Sequence, residues 1–192
     1  MSTEKTPTTE HRRRAGHYEV LGETYAKFEF FENGWNPYSR FLDIDKVDLV
    51  LRRVVSGRRQ YREVQVKYGR LFETDSGWQS RLFDLSSWRF FNDDEFVSAL
   101  SNDSLFVAYV LAARIGYRGD IFIFPVRVFA DLIKCGVATG GKRKVYLSHV
   151  RGDGQQWVLR RTQRSFTSVN EDTCVDVSKY RRNFSVLESS AV

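Results

Sequence analysis

A run of seven apolar residues, positions 105–111, limits the possible folds of this chain more than any other feature. It reads Leu-Phe-Val-Ala-Tyr-Val-Leu and contains no charged side chain. A strand with one face in water alternates apolar and polar residues, whereas a continuous apolar strand has to be covered on both faces. The run therefore predicts a strand in the middle of a layered sheet.

The segments on either side of this run predict both helices and strands. In chain order they are a helix at 17–33, strands at 47–55 and 60–68, a short helix after Asn92 with Phe96, Val97 and Leu100 on its apolar face, the strand at 105–111, a strand at 121–124, a helix at 126–134, and strands at 145–150 and 156–161. Ser56-Gly57 supplies a tight turn, so the first two strands are expected to form an antiparallel hairpin. This order indicates a mixed α/β domain with a central mixed sheet flanked by helices.

The expected domain boundaries follow from local composition. Residues 1–16 are polar and end in a basic run, which predicts a flexible basic tail. One domain is expected at 17–185, divided into a core at 17–134 and an extension at 135–185. Residues 186–192 are expected to be frayed.

Composition and cysteine usage indicate an intracellular globular protein. Hydrophobic residues make up 42% of the chain and charged residues 28%, as in ordinary folded domains. Cys135 and Cys174 do not have a metal-ligand spacing, so we expect reduced thiols and a cytoplasmic location. The sequence contains neither a secretory signal nor an apolar run of membrane-spanning length, so no membrane partner is expected.

The balance of charge is compatible with a polyanionic partner. The net charge is +6, and lysine and arginine side chains that neutralise phosphates release counterions on binding. Two basic groups are candidates for such contacts, one on the predicted hairpin and one in a glycine-rich segment, 136–144, that predicts a mobile loop. They comprise Arg52, Arg53, Arg58, Arg59 and Arg62 in the first group and Lys142, Arg143 and Lys144 in the second. Plain solvation of these side chains remains the alternative.

Polar side chains are expected to converge at one end of the hairpin. Side chains alternate along a strand, so Glu63, Gln65 and Lys67 point to the same face, and Asp48 on the partner strand is expected near Lys67. Burying these groups is costly unless something pairs with them, and a metal ion would do so. Oxygen ligands suit Mg²⁺, with Mn²⁺ as a substitute, and a neighbouring lysine can orient an attacking water and stabilise charge on a phosphate.

These residues resemble a known family. Val47-Asp48, followed after sixteen residues by Gln65-Val66-Lys67, is similar to the PD-(D/E)XK nuclease superfamily, which has the restriction-endonuclease-like fold. The sequence is most similar to the branch in which glutamine replaces the second acid. Gly22-Glu23 resembles the first helix of the family, whose glutamate can face the metal. The resemblance extends over residues 16–134.

The resemblance implies a Mg²⁺-dependent endonuclease, with DNA as the favoured substrate. It implies four catalytic residues: Asp48, Gln65, Lys67 and Glu23. It implies four metal ligands: Asp48, Gln65, Glu23 and Glu63. Val47 replaces the proline of the family name, and the neutral Gln65 binds a cation more weakly than a carboxylate does. Two alternatives stay open: a catalytically silent protein that binds nucleic acid or a protein partner, and a homodimer whose two copies cut both strands.

Overall fold

The computed structural model describes residues 9–39, 47–75, 77–113 and 116–188, with side chains from residue 17 onward. Its helices and strands are α1 (Thr9–Glu32), β1 (Asn36–Ser39), β2 (Leu49–Val55), β3 (Arg58–Glu73), α2 (Gln79–Leu82), β4 (Phe83–Asn92), β5 (Leu105–Ala113), β6 (Gly116–Pro125), α3 (Val126–Cys135), β7 (Val137–Thr139), β8 (Lys142–Val150), β9 (Trp157–Arg160) and β10 (Cys174–Asp176). Short 3-10 helices lie at Val97–Ala99, Ser178–Tyr180 and Phe184–Leu187. The predicted mixed class, with helices flanking a central sheet, is confirmed.

Strand β3 belongs to both halves of the sheet. In the first half-sheet the strand order is β1-β2-β3-β5-β6, with β3 and β5 parallel and the other pairs antiparallel. In the second half-sheet the last residues of β3, 71–73, pair with β4, and β8, β9 and β10 follow in order. The short strand β7 pairs with β8. One long strand therefore connects the two half-sheets.

The predicted hairpin is confirmed as β2 and β3. Ser56 and Gly57 have φ of 50° and 76°, so both residues of the two-residue turn are left-handed, which matches the natural twist of a hairpin. This turn sets the register, in which Leu49 lies opposite Val64. Strand β3 is longer than expected because its two ends pair with different neighbours.

Strand β5 is covered on both faces, as its apolar sequence predicts. Its even-numbered side chains pack with Ala26 and Phe30 of α1. Its odd-numbered side chains pack with Phe129 and Ile133 of α3. The two helices therefore cover opposite faces of the first half-sheet, and each face has its own apolar core.

Two elements in the first half of the chain differ from expectation. Helix α1 begins at Thr9 and includes the basic run that was assigned to a flexible tail, while residues 1–8 lie outside the described residues. The prediction of a helix after Asn92 was wrong. Its only helical part is a 3-10 turn at Val97–Ala99, and Val97 is exposed because residues 93–104 lie over β3 rather than forming a regular amphipathic helix.

Two further expectations for the second half of the chain were wrong. The basic loop expected at 136–144 is the β7–β8 hairpin, whose turn residues Gly140 and Gly141 have φ of 54° and 79°. Glycine pairs favour this turn because they reach positive φ without a steric penalty. The expectation of a frayed segment from residue 186 was wrong for residues 186–188, because Leu187 is fully buried in the core beneath α1. Residues 189–192 lie outside the described residues.

Residues 177–188 fasten the first half-sheet to α1. The ring of Phe184 packs edge-on against Phe30, with centroids 5.9 Å apart. Arg182 Nη1 donates to the Glu29 carboxylate over 2.7 Å. Arg62 Nε on β3 donates to the Leu187 carbonyl over 2.8 Å. This segment therefore completes the core on the α1 side.

Within the described ranges, no helix has both the length and the apolar character needed to cross a lipid bilayer.

Candidate functional site

Asp48 lies where β2 separates from β3. Its backbone N donates to Val64 O over 3.0 Å. The backbone N of Val66 donates to the Asp48 carboxylate over 2.5 Å. The two contacts are with the residues on either side of Gln65, so Asp48 lies beside Gln65 and not near Lys67 as expected. The turn at Ser56-Gly57 sets the hairpin register that places it there.

Gln65 is a nearly buried amide without a protein partner. Its side chain points away from α1, like those of Glu63 and Lys67, and the residue is 7% exposed. In the described part of the chain, no residue forms a hydrogen bond with its side-chain amide. The amide atoms are not among the fully buried polar atoms that lack a partner, so they reach solvent and can bind a water, ion or ligand.

Lys67 is held in place by a glutamate that the sequence did not reveal. Its ammonium lies 2.8 Å from the Glu95 carboxylate, and Lys67 is 9% exposed. The same ammonium lies 5.7 Å from the centroid of the Phe96 ring. The attraction between two charges is stronger where little water screens it, and a nearly buried lysine charge is costly without its partner. Glu95 therefore fixes the position of the lysine charge.

The same segment also covers the next polar position along β3. The Glu63 carboxylate accepts a hydrogen bond from Asn102 Nδ2 over 2.7 Å. The backbone N of Glu63 donates to Ser104 O over 2.9 Å. Residues 93–104 thus contact β3 at both Glu63 and Lys67. Glu63, which was expected to be a metal ligand, is directed towards Asn102.

Glu23 does not lie with Asp48, Gln65 and Lys67. Gly22, its neighbour on α1, lies against Tyr68, since a Cβ built at Gly22 would be 3.1 Å from Tyr68 Cβ. Tyr68 is on the face of β3 opposite Lys67, because side chains alternate along a strand. The Glu23 carboxylate lies 3.8 Å from Lys27 Nζ on the same helix. The structure therefore groups Asp48, Gln65 and Lys67, and adds Glu95.

The floor of the site is apolar and closely packed. Tyr109 lies beside Lys67 in the parallel β3–β5 pairing and is fully buried. Burial raises the pKa of Tyr109 to about 12, so its ring stays neutral at physiological pH. Gly69, the next residue on this face of β3, leaves room for that ring, because a Cβ there would be 2.6 Å from Tyr109 Cε1.

The predicted basic contacts fall into two groups on the hairpin. Arg58 and Arg59 are exposed next to the turn, and Arg52 is half-buried on β2. Arg62 donates to the Leu187 carbonyl, and burial together with the nearby Arg53 lowers the pKa of its guanidinium. Arg62 thus has a structural role, while Arg58 and Arg59 present their charges to solvent.

The second predicted basic group is also divided. Lys142 is exposed. Arg143 Nε donates to the Asp93 carboxylate over 2.7 Å, which joins β8 to the segment covering the site. Lys144 lies on the outer face of the second half-sheet, with its ammonium 4.2 Å from the centroid of the Trp88 ring.

The side chains present fit a cation site with few protein ligands. Among the residues that the structure describes, no group of three or more His, Cys, Asp and Glu side chains could hold a metal ion. Asp48 and Gln65 offer one carboxylate and one amide oxygen. Mg²⁺ prefers oxygen ligands, keeps several waters, and often binds through one or two carboxylates together with substrate phosphates. The unpartnered amide of Gln65 beside Asp48 suits such a site.

Comparisons with known proteins give remote structural similarity only. No family model and no curated protein matches the sequence. A bacterial homing endonuclease, I-Ssp6803I, is 16% identical over 88% of this chain and 89% of its own, with a TM-score of 0.44. Hjc, a Holliday junction resolvase from Archaeoglobus fulgidus, is 15% identical over 66% of this chain and 81% of its own, with a TM-score of 0.36. Similarity at this level leaves function to be inferred from the residues of the site.

Proposed function

We propose that this chain is a metal-dependent nucleic-acid phosphodiesterase, an endonuclease with DNA as its favoured substrate. The observation that carries the proposal is Gln65, a nearly buried amide with no hydrogen-bond partner in the described residues, beside the Asp48 carboxylate and on the same face as Lys67. A glutamine with a structural role commonly has its amide paired by the protein, whereas this amide is unpaired within the described residues and reaches solvent. This amide is better explained as a ligand for something that binds at the site.

Asp48 and Gln65 would hold Mg²⁺, with Mn²⁺ able to replace it. When bound, the ion polarises a phosphate oxygen and lowers the pKa of an attacking water. Most of its remaining ligands would be waters and substrate oxygens, since these two residues supply few. Arg58, Arg59 and Lys142, all exposed, are proposed contacts with the phosphate backbone.

Lys67 supplies a positive charge at a fixed position. Its ammonium donates hydrogen bonds to a water or to a phosphate oxygen and so stabilises the charge that develops as the bond breaks. Glu95 acts as a positioning residue, because its 2.8 Å contact holds the ammonium while leaving two N–H donors for other partners. Phe96 and Tyr109 limit access of bulk water, which strengthens these interactions.

The Lys67–Glu95 pair also favours a second function, a nuclease-like protein that binds nucleic acid without cutting it. A glutamate at 2.8 Å cancels much of the lysine charge that the reaction would use. In that case Gln65 and Asp48 would hold a water or a cation that serves binding alone.

Nicking of supercoiled plasmid distinguishes the two functions. We expect the purified protein to nick plasmid with Mg²⁺ or Mn²⁺ and to be inactive with a chelator. Asp48→Ala and Lys67→Ala are each expected to lower the rate by about a hundredfold or more, as when a charge-stabilising group is removed. Lys134→Ala is the matched control, because Lys134 is an exposed lysine on α3 that pairs with Asp131.

Substitutions of Gln65 test the ligand role directly. Gln65→Glu restores a second carboxylate and is expected to lower the Mg²⁺ concentration needed for half-maximal nicking, whereas Gln65→Leu is expected to abolish nicking with folding unchanged. Nicking by all the variants at the parental rate would exclude this site. Absence of nicking by the parent on plasmid, single-stranded DNA and RNA would favour the binding-only function.

A further inference from the structure

The outer face of the second half-sheet carries a group of aromatic and basic side chains. Strands β3, β4 and β8 contribute the members of this group, which we call the aromatic strip: Arg70, Phe72, Trp88, Phe90, Lys144 and Tyr146. Three of its rings are well exposed, Phe72 at 40%, Trp88 at 44% and Phe90 at 41%. An apolar surface of this kind on a folded domain commonly marks an interaction site.

The pairing of the strands places these side chains on one face. Trp88 lies opposite Tyr146 and Phe90 opposite Lys144 in the β4–β8 ladder. Phe72 lies opposite Ser86, which shares its face of β4 with Trp88. The members of the strip therefore share one face of the half-sheet, on which the buried Ser86 adjoins both Phe72 and Trp88.

The two cations of the strip lie against aromatic rings. The Lys144 ammonium is 4.2 Å from the Trp88 centroid and 4.8 Å from that of Tyr146. The Arg70 guanidinium is 5.1 Å from the Phe72 centroid. In the part of the chain that the structure describes, neither cation is within 4.0 Å of a carboxylate oxygen. Both cations therefore keep their charge for an anionic partner.

These surroundings fit a single strand of nucleic acid better than a duplex. Exposed rings bind bases by stacking, which needs the face of an unpaired base, and nearby cations neutralise the phosphates. In a duplex the base faces are stacked on one another, so that the rings would have no partner. A protein or lipid partner can also supply anions, but a single strand repeats a flat base and a phosphate along its length, which matches rings that lie beside cations.

We propose that the aromatic strip binds single-stranded nucleic acid, with bases stacked on Trp88, Phe90 and Phe72 and phosphates at Lys144 and Arg70. The assignment of this strand as substrate rests on the proposed nuclease function, whereas its binding does not. Because side chains alternate along β3, Phe72 lies on the opposite face from Lys67. The strip is thus a docking surface separate from Asp48 and Gln65, and it favours substrates with an unpaired segment.

Fluorescence anisotropy with a labelled oligothymidylate of about 15 nucleotides, a length typical of such surfaces, tests the proposal. Chelator is present throughout, so no cleavage interferes. We expect Trp88→Ala to weaken binding about tenfold and the Trp88→Ala/Phe90→Ala double variant to weaken it further. Lys144→Met is expected to weaken binding and reduce its salt dependence. Phe28→Ala is the control, since Phe28 on α1 is an exposed aromatic ring outside the strip, 65% exposed.

Trp88→Phe covers the case in which Trp88→Ala fails to fold, since it keeps a ring and is expected to bind within a fewfold of the parent. Binding that is unchanged in both Trp88→Ala and the double variant would overturn the proposal. It would also be overturned by a duplex of equal length that binds as tightly as the single strand and is equally weakened by these substitutions, or by equal losses in Phe28→Ala.

The test separates this proposal from the nuclease function. Plasmid nicking that depends on Lys67, together with oligonucleotide binding that ignores Trp88, would overturn the strip and leave the nuclease standing. Oligonucleotide binding that depends on Trp88, without any nicking, would support the strip and overturn the nuclease.

Discussion

Lys67 and Lys144 project from neighbouring parts of one sheet into opposite surroundings. Lys67 is 9% exposed and has the Glu95 carboxylate 2.8 Å from its ammonium. Lys144 rests against the ring of Trp88, and no carboxylate oxygen of the described residues lies within salt-bridge distance of it. An acidic partner fixes a lysine but cancels its charge, whereas a ring supports a lysine and leaves its charge intact. The Lys67 ammonium therefore has a fixed position but a partly cancelled charge, whereas the Lys144 ammonium keeps its full charge.

The surfaces around the two lysines also differ, since one is covered by another segment of the chain and the other is open. Residues 93–104 cover the site face of β3, and contacts at Glu63 and Lys67 hold them there. The aromatic strip is more open, because three of its four rings remain about 40% exposed and only Tyr146 is buried. A covered polar site suits chemistry that depends on fixed geometry, while an open strip suits contact with a long and variable ligand.

Removal of Glu95 is expected to have the largest effect on stability. Glu95→Ala leaves the Lys67 ammonium nearly buried without its acidic partner, and we expect the free energy of unfolding to fall by about 3 kcal/mol in urea denaturation. Asp131→Ala is the matched control, because Asp131 pairs with Lys134 at the surface, and a change below about 0.5 kcal/mol is expected.

A second substitution checks the cause of that loss. Glu95→Ala/Lys67→Met removes both charges and is expected to recover most of the stability. Equal losses in Glu95→Ala and Asp131→Ala would contradict the contrast between the two lysines, since Lys67 would then behave as a surface residue.

Close packing beneath the site predicts the next largest effect. A Cβ at Gly69 would lie 2.6 Å from Tyr109 Cε1 and 2.7 Å from both Leu111 Cδ2 and Ser87 Oγ. Gly69→Ala is therefore expected to destabilise the domain by about 2 kcal/mol, by forcing closely packed side chains apart. Gly154→Ala is the control, because a Cβ there meets no atom within 4 Å. Similar melting temperatures for the two variants would show that the floor of the site is loosely packed.

Substitution of Lys144 is expected to affect stability least. Lys144→Met keeps the aliphatic contact with the rings and removes only the cation–π attraction, so the free energy of unfolding should change by less than about 1 kcal/mol. The same variant is expected to weaken oligonucleotide binding. A loss of stability as large as that of Glu95→Ala would mean that Lys144 supports the fold, and the contrast with Lys67 would disappear.

The sequence predicts those parts of the fold that depend on local signals. The hairpin follows from Ser56-Gly57, whose turn also sets the register, and β5 follows from its unbroken apolar run. The grouping of Gln65 and Lys67 follows from strand alternation alone. The position of Asp48 depends on the hairpin register as well. It was expected near Lys67 but lies beside Gln65, two residues earlier on β3.

Glu95 was missed because its role depends on distant pairing. It follows β4 in an acidic stretch, and a local interpretation places it in the first turn of the helix expected after Asn92. Its contact with Lys67 arises only when β5 pairs in parallel with β3 and draws residues 93–104 across the site face. No spacing of residue types records that crossover.

The aromatic strip was missed for a different reason. Both faces of β4 carry rings, with Phe91 inward and Trp88 and Phe90 outward, so a period of two does not show which face is the core. The β7–β8 hairpin was not predicted because a basic, glycine-rich segment is typical of a mobile loop, although the pair Gly140-Gly141 also favours a tight turn.

The packing of residues 177–188 has a consequence for how the domain forms during synthesis. Phe184 and Leu187 complete the core that Phe30 of α1 begins, more than 150 positions earlier in the sequence. That core cannot close on the ribosome until Leu187 has passed through the exit tunnel. Until then the nascent hairpin and α1 hold an open apolar surface, and such surface makes an incompletely folded chain prone to aggregate.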